Sequence, residues 1–182
     1  MHRIFTKIAI VLFCTALLGC KPPDNRAILE EYNKETKEAM TAELAEDWPT
    51  AERHYLIALK AAEEINWVAG IVGTKTKLGE IYSRNNKIPE AEKKYVEAKD
   101  ACLEDMTCTW LEDPYKKLIL FYIYYGRDPD KAQAVMDEMM SVRLRLRDGD
   151  LKFKLMAYAG DMRTAGFPEE ADRLVEHFRQ MP

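Results

Sequence analysis

The sequence predicts an all-α protein built from about four helix-turn-helix repeats with a period near 40 residues. Three observations carry that expectation. First, the composition favours helix: eight Gly and eight Pro in 182 residues leave a chain rich in Ala, Glu, Lys, Leu and Met, with 47% hydrophobic and 32% charged side chains. Such a balance excludes a disordered chain and is enough for one domain or a short repeat array. Second, Ala51, Ala91, Ala132 and Ala171 recur at steps of 40, 41 and 39 residues, each followed at helical spacing by larger apolar residues. Third, Pro49, Pro89, Pro129 and Pro168 fall two or three residues before those alanines, where a first-turn proline sacrifices no intrahelical hydrogen bond.

Each second helix of a pair follows from the ladder. Four residues after each alanine stand Tyr55, Tyr95, Met136 and Val175; seven after stand Ala58, Ala98, Met139 and Phe178. These offsets put one small residue, one large residue and a third on a single helix face. Upstream lies a first helix, clearest in Leu78, Gly79 and Tyr82, where the glycine lets a neighbouring helix approach. Asn66 and Asp113 are expected as N-caps of the helices that follow them. The helices are expected at 25–44, 49–65, 67–85, 89–104, 114–125, 130–147, 150–165 and 168–180.

One segment pulls the other way. Val142 to Leu155 alternates apolar and charged residues around Asp148-Gly149, a local hairpin signature. Repeat register predicts helix, turn and helix there instead, because an isolated two-stranded hairpin is marginal and would leave the fourth unit without its first helix. The hairpin stands as the competing expectation.

The ladder resembles the tetratricopeptide repeat, whose pattern runs Leu-Gly, Tyr, Ala, aromatic, Ala over two antiparallel helices. The second unit carries it best with Leu78, Gly79, Tyr82, Ala91, Tyr95 and Ala98, although Lys75 stands where the family prefers Trp. Unit one keeps Ala39, Ala42, Ala51, Tyr55 and Ala58; unit three keeps Leu118, Tyr122, Gly126 and Ala132 with one extra turn residue; unit four keeps Ala159, Gly166, Ala171 and Phe178. The resemblance implies a right-handed superhelical array whose first helices line a concave groove for a peptide or helix. Carried over position by position, that groove comprises Thr76, Glu80, Ser83 and Arg84 from unit two, Lys116, Leu120, Ile123 and Tyr124 from unit three, and Met156 and Arg163 from unit four. The competing reading makes such an apolar stripe, with Phe121, Tyr122 and Tyr125 beside it, part of the core.

The N-terminus lies outside the repeats. His2, Arg3 and Lys7 precede the charge-free run Ile8 to Leu18, too short to span a bilayer and shaped as a secretory signal. Leu17-Leu18-Gly19-Cys20 resembles the lipobox of bacterial lipoproteins, with Leu18 a minor departure; a plain signal peptide or an uncleaved N-terminal helix is the competing reading. That resemblance implies a signal peptide at 1–19, palmitate or a related acyl group on Cys20, a linker at 20–25 and the repeat domain at 26–182. By the same resemblance Lys21 implies sorting to the outer membrane, facing the periplasm. Cleavage would remove Arg3 and Lys7 from the 27 basic side chains, leaving 25 against 31 acidic ones, a balance that argues against nucleic acid.

Export to an oxidising compartment predicts a disulfide between Cys102 and Cys108, which would stiffen the corner between units two and three, with two free thiols as the competing expectation. His54 and His177 lie on helices and read as surface or groove-edge residues. Gly70 to Thr76 has the wrong spacing for a phosphate loop, so its glycines are expected to serve helix packing. Arg143, Arg145 and Arg147 make a second basic cluster, on a solvated helix edge or against lipid headgroups. No carboxylate pair, metal set or cofactor motif is singled out, so no enzyme, metal or cofactor is expected. The expected function is an envelope scaffold or assembly factor that binds a protein or peptide in its groove. By resemblance to pilotins, one version assists assembly of a secretin or pilus. An adaptor for cell-wall enzymes is the alternative, an enzyme ranks last, and a homodimer through the end faces stays open.

Overall fold

The structure is a computed structural model that describes residues 25–105, 112–144 and 151–180. Among these residues there are eight helices and no strand: α1 (Arg26–Leu44), α2 (Trp48–Glu64), α3 (Val68–Arg84), α4 (Ile88–Glu104), α5 (Glu112–Tyr124), α6 (Pro129–Leu144), α7 (Leu151–Ala165) and α8 (Pro168–Gln180). They pack as four consecutive pairs, α1 with α2, α3 with α4, α5 with α6 and α7 with α8. Each pair rests on the next, with α3 touching α5 and α5 touching α7 along one side. The fold is therefore the all-α array of helix-turn-helix repeats that the sequence predicts.

The alanine ladder marks the tightest crossings. Ala51, Ala91, Ala132 and Ala171 are all 0% exposed, and a larger side chain at such a place forces strain worth about 1–3 kcal/mol. Tyr55, Tyr95 and Met136 are buried beside them, as are Ala58, Ala98, Met139 and Phe178. Gly79 has the role its spacing suggests, since a Cβ there would meet the Tyr95 ring at 2.9 Å. Gly70 likewise backs onto the Trp67 ring and Ala62. Gly73 differs from the expectation: a Cβ there would meet nothing, because it faces the open side of α3 rather than a neighbouring helix.

The turns repeat as faithfully as the crossings. Glu46, Asn86, Arg127 and Gly166 each adopt a positive φ, of 57°, 56°, 54° and 92°, five residues before a ladder alanine. The left-handed residue reverses the chain so that the next amide reaches back over the last helical turn. Asp47 donates to the Ala42 carbonyl at 2.9 Å, Lys87 to Tyr82 at 2.8 Å and Phe167 to Met162 at 2.8 Å. In the third unit the extra residue is absorbed here: Gly126 donates to Phe121 and Asp128 reaches one residue further back, to Tyr122, both at 2.9 Å. Asp47 then caps α2 by accepting from the Thr50 amide at 3.2 Å, and Asp128 accepts from Lys131 at 3.0 Å.

Two expected caps are corrected. Asn66 has φ 52° and belongs to the left-handed stop of α2, so that Trp67 becomes the residue before α3 and offers no side-chain cap. Asp113 lies inside the first turn of α5, which begins at Glu112. Both misreadings have one cause, since Asn and Asp suit a left-handed position and a first helical turn as well as an N-cap. The other helix limits agree with expectation to within three residues. Between Val142 and Leu155 the chain is helical to Leu144 and again from Leu151; residues 145–150, with Arg145 and Arg147, lie outside the described residues.

Candidate functional site

The first helices α1, α3 and α5 share one face, and a groove runs along it. Its upper part is a cleft of about 240 Å³ between α3 and α5, bounded by Ser83, Arg84, Tyr95, Leu120, Tyr124 and Tyr125. Its lower part, about 540 Å³, opens beside Ala69, Gly73, Thr76, Asp113 and Pro114. Glu80 and Lys117 border both parts and bond to each other across the waist. The open side of Gly73 is thus explained: it forms part of the lower wall.

Charge in the groove is largely matched within the groove. Lys77 bonds Glu80 at 2.9 Å and lies 3.6 Å from Glu43 on α1, and Lys117 on α5 holds the other oxygen of Glu80. Burial pushes the Glu80 carboxyl up, but Lys117 and Lys77 together hold it below the usual carboxylate range. Burial alone would ease the proton off Lys77, and Glu80 and Glu43 outweigh it to keep the ammonium charged. The chain Glu43, Lys77, Glu80, Lys117 therefore stitches three successive units along their first helices. Burial also raises the Tyr95 phenol behind the cleft, which stays protonated at neutral pH.

The expected groove residues divide. Thr76, Glu80, Ser83, Arg84, Leu120 and Tyr124 line the groove. Ile123 does not: it is 0% exposed and belongs to the core. Lys116 is exposed on α5 but its neighbour Lys117 is the groove lysine, because adjacent helical residues point about 100° apart. Met156 packs partly buried against the core on α7, and Arg163 spans to Asp172 on α8 instead of facing α5. Phe121 and Tyr122 are core, while Tyr125 is 45% exposed at the cleft mouth.

A second set of polar contacts, from each second helix to the unit that follows it, escaped the sequence reading. Glu52, next to Ala51, accepts from the Tyr82 hydroxyl at 2.9 Å and from Lys87 at 3.0 Å. One repeat later Glu92, next to Ala91, accepts from Tyr122 at 2.9 Å and Lys131 at 2.7 Å. Each lysine also lies over its tyrosine ring, at 5.3 and 5.4 Å. A glutamate following a ladder alanine and a tyrosine thirty residues on was the available signal. Glu138 gathers a third such group, accepting from Lys99 at 2.6 Å and Tyr115 at 2.9 Å.

His54 and His177 are tie points between helices. His54 Nδ1 lies 2.6 Å from Glu35 on α1, whose carboxyl is held below its ordinary value chiefly by that bond, and His177 Nε2 lies 2.8 Å from Asp137 on α6. Neither borders the groove. Cys102 is buried on α4 and disulfide-bonded; Cys108, the expected partner, and Cys20 lie outside the described residues. Among the described residues no cluster of three or more His, Cys, Asp or Glu is arranged to hold a metal ion, and no helix is long and apolar enough to cross a membrane.

No family model and no curated protein matches the chain. A solved structure does: BtubC (BKLC) from P. vanneervenii superimposes with a TM-score of 0.59 over 98% of this chain and 72% of its own, at 20% sequence identity. At that identity the likeness is one of fold, and it extends over all four helix pairs.

Proposed function

We propose that this chain is a protein-interaction scaffold or assembly factor of the bacterial cell envelope, anchored through a lipid on Cys20, that holds a peptide or helix of its partner in the groove along α3 and α5. The observation that carries the reading is the cleft itself. It is an accessible concavity with exposed aromatic walls, Tyr124 at 39% and Tyr125 at 45%, on a face whose half-buried carboxylate, Glu80, is already neutralised by lysines. Exposed aromatic rings beside a satisfied polar floor give contact area without an unpaired charge to desolvate. The signal-like start and the lipobox resemblance around Cys20 support the anchor, with assembly of a secretin or pilus as one concrete role.

A photo-crosslinking residue at Leu120, inside the cleft, is expected to capture an envelope protein in intact cells, whereas the same residue at Ala134, exposed on α6, is expected not to. Capture of a secretin or pilin favours the assembly role and capture of a cell-wall hydrolase the adaptor role. Equal capture from both positions, or none from Leu120, rejects the groove. Replacing Cys20 with Ser is expected to abolish palmitate labelling and release the protein from membranes; persistent labelling would reject the anchor.

A further inference from the structure

Resting on the groove reading above, we propose that the groove selects peptides in which an acidic residue is flanked on both sides by apolar ones, the acid on Arg84 and the apolar residues on Met40 and Leu44 at one side and on Leu120 and Tyr124 at the other. The repeat places these residues in line. Helices α1, α3 and α5 end forty residues apart at Leu44, Arg84 and Tyr124, and one turn earlier the same step gives Met40, Glu80 and Leu120. Leu44 is 88% and Met40 51% exposed, so with Tyr124 and Tyr125 the first-helix side carries four of the six large apolar residues that the described structure exposes. An exposed apolar pair therefore precedes a charged pair and an aromatic-apolar pair follows it.

Arg84 supplies the selectivity. Among the described residues it has no carboxylate partner, its guanidinium lying 5.9 Å from the Trp48 ring, just past the end of α1. The upper cleft holds two cations, Arg84 and Lys117, against the single carboxylate of Glu80, and Lys117 is already engaged. One positive charge is left for a ligand. At the other side the Tyr124 hydroxyl donates to Asp161 at 2.7 Å, which sets a negative charge beside the aromatic wall and favours an apolar over an acidic group there. Stacked helices lie about 8–10 Å apart, so the acid and each apolar flank should be separated by about three residues in an extended peptide, at about 3.3 Å per residue. In a helical one the separation is about six, at about 1.5 Å per residue.

The test is a selection of random linear peptides displayed against the full-length protein in detergent, run in parallel on wild type, Arg84→Glu, Arg84→Lys, Leu44→Ser and Leu120→Asp, each checked for unchanged helical content. Wild type and Arg84→Lys are expected to enrich Asp or Glu between apolar residues. Arg84→Glu is expected to exchange that acid for Lys or Arg with both flanks kept, and to bind the wild-type consensus peptide roughly tenfold or more weakly. Leu44→Ser is expected to relax one flank only. Peptides that need Leu120 but show no acidic preference, or a preference indifferent to Arg84→Glu, overturn this rule and leave the groove reading intact. Absence of any enrichment sensitive to Leu120→Asp overturns both.

Discussion

The seams between units one and two and between units two and three differ in kind from the seam between units three and four. At the first two, a glutamate beside the ladder alanine receives a tyrosine hydroxyl and a lysine from the following unit. At the last, the matching positions are Gln133 and the buried Met162. Contact there passes instead through Arg127 over the Phe167 ring at 4.7 Å, the pair His177 with Asp137, and the Tyr124 hydroxyl on Asp161 at 2.7 Å. A repeat array is stabilised by each unit and by each interface. The early seams specify their docking by a tyrosine and a lysine converging on one half-buried carboxylate, whereas the last has single, more exposed polar bonds around its apolar contact. The groove lies over the specified seam between units two and three, where a cleft needs a fixed spacing between α3 and α5.

The largest expected consequence concerns how far damage spreads. Leu78 in unit two and Leu174 in unit four are both 0% exposed, and truncation of either to Ala should cost about 2–5 kcal/mol locally. Leu78→Ala, between two seams, is expected to lower amide protection across α1 to α6. Leu174→Ala is expected to lower it only in α7 and α8. Hydrogen exchange by segment reads the difference, and equal spread from both would mean that the seams are equivalent.

Next in size is the contrast between two glycines on α3. Gly79→Ala must displace the Tyr95 ring and should destabilise the fold by about 1–3 kcal/mol, closing or distorting the cleft. Gly73→Ala enters open space and should stabilise α3 by up to about 1 kcal/mol. Thermal unfolding of the two variants should move in opposite directions.

The smallest effect sharpens the seam comparison most directly. Burial first, and Glu52 second, push the Tyr82 phenol up to about 12. Because the folded value lies above the ordinary value near 10, the stabilisation is complete below about pH 10 and is lost as pH rises through about 12. Tyr82→Phe should cost about 0.5–1.5 kcal/mol at neutral pH and make stability between those limits less steep on pH. An unchanged slope would show that this hydroxyl does not hold the seam.

Most of the architecture was legible in the residues because it rests on periodic small and large apolar side chains, and Ala51, Ala91, Ala132 and Ala171 announce their crossings without reference to anything distant. The groove was legible only in part. Its position on the first helices followed from the repeat, but the azimuth of a looser unit did not, so Lys116 was named where Lys117 faces the cleft and Ile123 where the core begins. The tyrosine and glutamate seams were missed for another reason. Their partners are thirty residues apart and polar, and a search for apolar periodicity passes over Glu52 and Glu92 as ordinary solvated positions.

The corner of the third unit, where Asp128 reaches back to Tyr122 instead of one residue less, shows how such a chain tolerates changes of length. Inside a helix, one inserted residue would rotate everything beyond it by about 100° and carry the buried stripe into solvent. At the bend, the surplus is taken up before Pro129, and Ala132 still arrives at its crossing. Lineages of this protein should therefore gain and lose single codons at the hairpin bends while the lengths of the packed segments between them stay constant.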